Sequence, residues 1–346
     1  MSTAYHLARA GMRPVLFEAG VIGDGASGRT GGLVLEGTAA GILEQVDRCV
    51  PGLNSIAERE GIDCDLELPG CWEVAHRKGK ERTLPWTDDG KPIGIMNIVS
   101  GGVVQPAALT IGIAKAAQRM GATLLEGCPV SRIEFEGGLH VEAHGERIDA
   151  GYVVVATNAW INATLAETPP LRSSLTFACA TAPLRQDQLA ALGVGEGIPF
   201  YTNDMPYLWG RTVRDGRMIF GSGLVFGTPR ELENSDLGDA EIENTLSQLR
   251  TRVMGLHPIL GKTPIDASWC GPIAFTENWI PLLGPHPANP RVLISGGYSG
   301  HGVALSVRAG ELLGRSIHDN APLPEWGSLS RRLARPSSRV TSFGGA

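Results

Sequence analysis

The sequence has 346 residues, of which 42% are hydrophobic, and its formal net charge at pH 7 is -6. A chain of this length can bury a large core and hold one large domain or two interleaved domains. The acidic balance argues against a nucleic-acid binder, and no apolar run or charged-then-apolar leader indicates a membrane span or a secretory signal.

The first part of the chain predicts a helix, a strand and a glycine-rich loop. Ser2 to Gly11 is typical of a helix ended by glycine, Pro14 to Glu18 of a short buried strand, and Val21 to Gly32 of a loop. In a dinucleotide-binding βαβ unit, an acid at the end of the second strand accepts hydrogen bonds from ribose hydroxyls, and Glu18 has that position. The strand and G-x-G-x-x-G that precede such a helix are absent, because the chain starts inside the helix. The residues alone leave a ribose ligand and an ordinary strand-end charge equally open for Glu18.

The central region predicts mixed elements followed by mostly β-structure. Pro106 to Met120 predicts a helix, Val130 to Ile148 a hairpin around two glycines, and Tyr152 to Thr157 a strand buried on both faces. Short β-like runs follow up to Trp269. They are interrupted by one amphipathic helix with apolar residues spaced by four and three, from Ile242 to Leu256.

The last region predicts a buried strand, Arg291 to Ser295, which passes through a glycine-rich turn into a helix from Val303 to about Arg315. Backbone N–H groups at such a helix start stabilise negative charge, as on the N1–C2=O edge of a reduced flavin. The alternative is a tight turn in which His301 caps the helix. The tail beyond Trp326, with Arg331, Arg332, Arg335 and Arg339, predicts a solvated surface segment.

Cysteine and histidine spacing predicts no metal site. The six cysteines are scattered without a C-x-x-C pair, which favours reduced thiols in a cytoplasmic protein. His140 and His144 fall on an alternating strand pattern, so we interpret them as hairpin residues rather than metal ligands.

Several motifs together resemble a known family. STAYHLARAG, VLFEAG and GASGRTGG are similar to the start of the D-amino-acid-oxidase-like FAD oxidoreductases. YVVVATNAW and WCGPIAFT resemble segments that return to the flavin, and GYSGHGVALS resembles the gamma-glutamylputrescine oxidase and sarcosine oxidase branch. The resemblance covers nearly the whole chain in the same order.

The resemblance implies an α/β fold, α+β overall, in which a Rossmann-like FAD-binding domain is joined to an antiparallel-sheet substrate domain. The implied FAD domain comprises residues 1–50, 100–165 and 270–346, and the substrate domain comprises 51–99 and 166–269. The FAD domain lacks its N-terminal strand and G-x-G-x-x-G, so we expect a misassigned start or a fragment rather than a functional short form.

The resemblance also implies roles for individual residues. Glu18 would bind the adenosine ribose, and His301 and Arg211 are the side chains expected to take part in catalysis. Tyr207, Trp209 and Arg211 would line the substrate pocket, and a purely structural role in the scaffold is the alternative for them. The cofactor-binding residues would be Glu18, Ala19, Ser27, Arg29, Thr30, Gly31, Gly32, Val130, Ala156, Thr157, Gly297, Ser299, Gly300, His301, Gly302 and Val303.

The implied reaction is hydride transfer from the carbon beside an amine nitrogen to FAD, followed by imine hydrolysis and reduction of oxygen to hydrogen peroxide. The partners would be a small amine or amino acid and oxygen or another electron acceptor, with no nucleic acid and no membrane span. Two alternatives stay open: an amine dehydrogenase that uses another acceptor, and a non-catalytic remnant.

Three departures from the family pattern modify these expectations. Sarcosine oxidases have a carboxylate-binding lysine where this chain has Ala304, which favours gamma-glutamylputrescine-like amines. Gly271, one residue past Cys270, aligns with the cysteine that tethers flavin, so non-covalent FAD is expected. The lysine that promotes the oxygen reaction is replaced by an apolar residue near Ile219, which keeps the dehydrogenase alternative open.

Overall fold

A computed structural model describes residues 1–79, 82–135, 137–233, 235 and 237–330. The four arginines of the predicted surface tail lie outside the described residues. The helices are α1 (Ser2–Arg9), α2 (Ala26–Arg29), α3 (Cys49–Glu60), α4 (Pro106–Arg119), α5 (Ile161–Thr164), α6 (Gln186–Ala191), α7 (Pro229–Glu233), α8 (Ala240–Leu256), α9 (Pro258–Gly261) and α10 (Gly302–Asp319). The strands are β1 (Val15–Phe17), β2 (Leu33–Leu35), β3 (Cys71–Ala75), β4 (Arg82–Asp88), β5 (Lys91–Val99), β6 (Gly101–Val103), β7 (Thr123–Leu125), β8 (Val130–Glu134), β9 (His140–Ala143), β10 (Glu146–Asp149), β11 (Val153–Val155), β12 (Arg172–Thr181), β13 (Phe200–Thr202), β14 (Trp209–Thr212), β15 (Met218–Phe226), β16 (Ile265–Phe275), β17 (Leu282–His286) and β18 (Asn289–Gly296).

The predicted mixed α/β fold is confirmed, and its largest sheet has the strand order β16-β12-β15-β14-β13-β3-β5-β4. Every pairing in this sheet is antiparallel except β13 with β3, which is parallel. The prediction of an antiparallel sheet is therefore wrong at this one pairing. The reason is that β3 and β13 are far apart in sequence, and a strand that arrives by a long connection is free to pair in parallel.

One face of the large sheet is covered by α8 and a hydrophobic core. The predicted apolar spacing of α8 is confirmed, since Ile242, Leu246, Leu249, Val253 and Leu256 are all buried there. Phe177 and Cys179 of β12 point into the same core. Because side chains alternate between the faces of a strand, Thr176 and Ala178 point to the opposite face.

The remaining strands form smaller sheets beside a helical layer. β1 pairs in parallel with β7, and β11 pairs in parallel with β18, which also pairs antiparallel with β17. The helices α1, α3, α4 and α10 pack together in a second buried cluster. The predicted hairpin is confirmed by β8 and β9, to which β10 is added.

Two strands are less buried than predicted. Val15 of β1 is 46% exposed, because among the described residues β1 has a partner on one side only, namely β7. Val153 and Val155 of β11 are buried, but Ala156 and Thr157 emerge from the sheet and are exposed. The prediction of full burial for both strands is therefore wrong.

The domain division stays a prediction. In the structure α3 packs with α1, α4 and α10, and β16 continues the large sheet as far as Phe275.

All six cysteines are free thiols. Among the described residues, no helix combines the length and the apolar character needed to cross a membrane.

Candidate active site

The site is built on the face of the large sheet that α8 leaves uncovered. Trp209 on β14 pairs directly with Gly221 on β15, and its indole lies over that glycine. The same indole packs against Gly31, where an added Cβ would clash with the ring. Trp209 therefore joins the sheet to the Arg29–Gly32 segment, and it needs glycine on both sides.

Arg211 lies two residues further along β14, on the same face as Trp209. Its side chain is only 6% exposed, and its Nε has no hydrogen-bond partner among the described residues. An added Cβ at Gly32 would lie 3.3 Å from Nη2, so the guanidinium reaches the predicted cofactor loop. Burial lowers the pKa of Arg211 against the opposing effect of Asp65 and Glu67, but a guanidinium stays charged at neutral pH.

The acidic side chains near Arg211 bind a different cation. Arg214 forms ion pairs with Asp65 and, at 3.5 Å, with Glu67. A buried charge is costly unless it is paired. Arg211 is thus a buried cation for which the described residues provide no direct counter-ion.

The Arg29–Gly32 segment is held by the sheet at a second point. Trp269 Nε1 donates to the carbonyl of Arg29 at 2.9 Å, and an added Cβ at Gly271 would lie 3.1 Å from Arg29 Cβ. Ser27 and Arg29 are exposed, Thr30 is half-buried, and Gly31 and Gly32 are buried. The structure therefore brings this predicted segment and Arg211 together.

The Gly297–Val303 segment forms the start of α10. Its bends are sharp, with positive φ of 69° at Gly297, 52° at Ser299 and 88° at Gly300. The backbone N–H of Ser299 donates to the carbonyl of Ala274 at 3.1 Å, which ties the segment to β16. Gly302 and Val303 form the first turn of α10.

His301 occupies the N-cap position of α10, as in the capping alternative, but its side chain forms no capping hydrogen bond. Its Nδ1 is buried and forms no hydrogen bond of normal geometry. Burial lowers the pKa of His301, with partial compensation from the backbone of Ser299, so the imidazole is neutral at pH 7. Thr276 Oγ1 is also buried without a partner among the described residues, and an added Cβ at Gly297 would lie 2.7 Å from its methyl group.

Asn158, which was not among the predicted site residues, connects two predicted segments. Its Oδ1 accepts from the N–H of Gly297 at 2.9 Å, and it directly follows Ala156 and Thr157. Its position after β11 was a usable signal, because ligands of parallel sheets bind beyond the carboxyl ends of strands.

The predicted ribose-binding residues form a separate group. Glu18 follows β1 and accepts from the N–H of Gly20 at 3.0 Å, and its carbonyl accepts from the N–H of Cys128 at 2.8 Å. Ala19 is exposed, and Val130 begins β8 two residues after Cys128. The backbone hydrogen bond between Glu18 and Cys128 thus brings the end of β1 close to the start of β8, and the ribose and adenine roles of Glu18 and Val130 stay predictions.

The residues fit a large polar cofactor. Buried polar atoms without a hydrogen-bond partner among the described residues occur at Arg211, His301 and Thr276. This combination agrees with a dinucleotide cofactor bound beside the loops at 29–32 and 297–303.

Comparison with known proteins gives a family match over most of the chain. The family model described as FAD dependent oxidoreductase (DAO) matches residues 1–316. The gamma-glutamylputrescine oxidoreductase of Escherichia coli (strain K12) is 27% identical, over 93% of this chain and 82% of its own length. The glycine oxidase of Bacillus licheniformis is 25% identical, over 94% of this chain and 92% of its own. The solved glycine oxidase of Bacillus cereus has a TM-score of 0.74 at 17% identity, over 94% of this chain and 96% of that one, which shows a shared fold.

Proposed function

This chain belongs to the FAD-dependent oxidoreductase family, and on that premise we propose that it oxidises the carbon–nitrogen bond of a small amine or amino acid that carries an anionic group. FAD supplies the two-electron acceptor for such a reaction when it is bound. The similarity to a gamma-glutamylputrescine oxidoreductase and a glycine oxidase supports a nitrogen-bearing substrate.

The observation that carries this proposal is Arg211, a buried cation with no direct partner among the residues that the structure describes. A guanidinium binds a carboxylate with two parallel hydrogen bonds, and it is strongest where water is excluded. Arg211 lies on the sheet face below the Arg29–Gly32 segment, beside the Trp209 indole. A substrate carboxylate bound there would be held next to the cofactor loop.

The remaining predicted residues serve to hold the cofactor. Glu18 and Val130 would lie at the adenosine end, and the segments at 29–32 and 297–303 at the flavin end. The N–H groups that begin α10 favour negative charge on a bound ring. Cys270 packs towards the hydrophobic core while Gly271 faces Arg29, which supports non-covalent binding.

His301 is the neutral side chain proposed nearest to the reacting atoms. Burial keeps the His301 imidazole uncharged, so His301 adds no positive charge beside the substrate amine. The amine must be neutral for hydride loss from the adjacent carbon. The substrate loses two electrons and two protons to give an imine, and water converts the imine to a carbonyl compound and an amine or ammonia. Oxygen, reduced to hydrogen peroxide, is the proposed final acceptor.

An amine dehydrogenase is the second candidate, supported by Ile219. This apolar side chain pairs directly with Arg211 on the site face of the sheet. It provides no charge that would favour oxygen reduction. Formation of peroxide, as opposed to reduction of an added dye without peroxide, distinguishes the two candidates.

The test combines flavin retention with a charge-specific substitution. The chain is purified with added FAD, freed of excess, and assayed for peroxide with amino acids and with the amines that lack only their carboxyl group. We expect Arg211→Met to raise KM for the amino acids at least tenfold and to leave KM for the amines unchanged. Arg185→Met, which removes an exposed arginine paired with the exposed Asp187, is the matched control.

Arg211→Lys should recover part of the preference, because it restores charge without the paired hydrogen bonds. Equal effects of Arg211→Met on both substrate sets would contradict an anion-binding role. A chain that retains flavin but oxidises neither set, with oxygen or with dye, would refute the proposed reaction.

A further inference from the structure

A row of polar and aromatic side chains extends from Trp209 across the large sheet. Trp209 pairs with Tyr201 on β13, Tyr201 pairs with Glu73 on β3, and Glu73 pairs with Asn97 on β5. Directly paired residues point to the same face of a sheet. The row therefore lies on the face that carries Trp209 and Arg211, opposite the core that contains Phe200.

Glu73 is the one carboxylate of this row, and two neutral donors hold it in place. Tyr201 Oη donates to Oε1 at 2.8 Å, and Asn97 Nδ2 donates to Oε2 at 2.8 Å. In the part of the chain that the structure describes, Glu73 forms no ion pair. A carboxylate accepts about four hydrogen bonds, so each oxygen retains a free acceptor position.

Two titratable groups beside Glu73 stay protonated at neutral pH. Burial and the hydrogen bond to Glu73 raise the pKa of Tyr201, so the phenol stays protonated and remains a donor at neutral pH. Burial, reinforced by Glu73, raises the pKa of Cys71 to about 12, so that thiol is also neutral. Neither group therefore adds a second negative charge beside Glu73.

We propose that Glu73, oriented by Tyr201 and Asn97, forms a subsite for a cationic group of the substrate. An oriented carboxylate beside aromatic rings is the arrangement that binds ammonium groups, through charge-assisted hydrogen bonds and cation–π contact. Two strand spacings separate Glu73 from Trp209, about 10 Å. The substrate class is therefore an amino acid with a positively charged group at the far end of its side chain.

This inference rests on the proposed function, in which Arg211 binds the substrate carboxylate. Its test uses lysine and 2-aminoheptanoate, which have the same number of side-chain heavy atoms but differ in the terminal charge. Both enantiomers of each are titrated calorimetrically into the FAD-containing chain after reduction of the flavin with dithionite, so that binding is measured without turnover.

We expect the wild-type chain to bind lysine more tightly than 2-aminoheptanoate in at least one enantiomeric series. Glu73→Gln, which keeps the size of the side chain but removes its charge, should reduce this preference at least fivefold without weakening 2-aminoheptanoate. Tyr201→Phe, which frees one carboxylate oxygen but keeps the charge, should reduce it less.

The absence of a lysine preference in the wild-type chain would overturn the proposal, as would a preference that survives Glu73→Gln. Failure of the proposed oxidation leaves a different signature. In that case the binding preference and its loss in Glu73→Gln persist, while neither compound is turned over.

Discussion

Arg252→Met is expected to destabilise the fold strongly, because Arg252 is the centre of a buried polar network behind the site. From α8 its guanidinium contacts Asp88, with Nε 3.1 Å from both carboxylate oxygens. It also donates to the carbonyls of Pro206 and Tyr207, each at 2.8 Å, and to Ser222 Oγ at 2.7 Å. These contacts fix the loop that leads into β14, which carries Trp209 and Arg211.

The size of the effect follows from burial. The side chains of Arg252 and Asp88 are 16% and 6% exposed, so methionine would leave a buried carboxylate without its main partner. Removing one member of a buried pair costs about 3–5 kcal/mol. His76 Nε2 still contacts Asp88 at 2.7 Å, so we expect the free energy of unfolding to fall by ~3 kcal/mol, near the lower end of that range.

The loss of stability caused by Arg252→Met should also depend on pH. Burial alone would raise the pKa of Asp88, but the hydrogen bonds from Arg252 and His76 outweigh it and hold that pKa below its ordinary value. A lowered folded pKa contributes stability above the unfolded pKa, about 3.9, and loses it as pH falls through the folded value. The difference in the free energy of unfolding between wild type and Arg252→Met should therefore have its full value at pH 7 and decrease below about pH 4.

Urea denaturation with saturating FAD, followed by tryptophan fluorescence, measures this difference. Arg250→Met is the matched control, because Arg250 lies on the same helix and pairs with Glu243 at a more exposed position. Its removal should cost less than about 1 kcal/mol. Equal losses for the two variants, or a difference that does not shrink in acid, would refute the reasoning.

Two further predictions concern glycines at close contacts. Gly31→Ala places a methyl group inside the indole of Trp209 and should lower the free energy of unfolding by about 1–3 kcal/mol. In a Trp209→Ala background the same substitution should cost less, and additive effects in this double-mutant cycle would contradict the contact. Gly310→Ala on α10 places a methyl group 2.6 Å from the backbone nitrogen of Thr3 and should cost about 1–3 kcal/mol by separating α1 from α10. Gly255→Ala, at a helical glycine with open space around it, is its control and should be neutral or stabilising by up to ~1 kcal/mol; destabilisation in both helices would point to backbone effects instead of packing.

Much of the local structure could be predicted because it depends on short-range patterns. The apolar spacing of α8 predicted both the helix and its buried face, and proline and glycine predicted the limits of α4. The burial of β1 and β11 could not be predicted in this way, since burial depends on whether strands lie on both sides.

Part of the candidate site could be found from motifs. The segments around Gly31 and His301 and the acid at Glu18 resemble those of a known family, and the structure places the first two around the same sheet face. Asn158 was missed, because its hydrogen bond to Gly297 joins residues far apart in the chain. No local sequence pattern predicts such a contact.

The sequence by itself determined the class of fold, the order of its main elements and the family to which the chain belongs, because periodicity and motif spacing are local properties. Only the tertiary structure decided which charges are paired. Arg214 binds Asp65 and Glu67, and this leaves Arg211 without a direct partner among the described residues. Strand register places Glu73 in line with Trp209. Register depends on pairing between strands that are far apart in the sequence, so local patterns do not predict it.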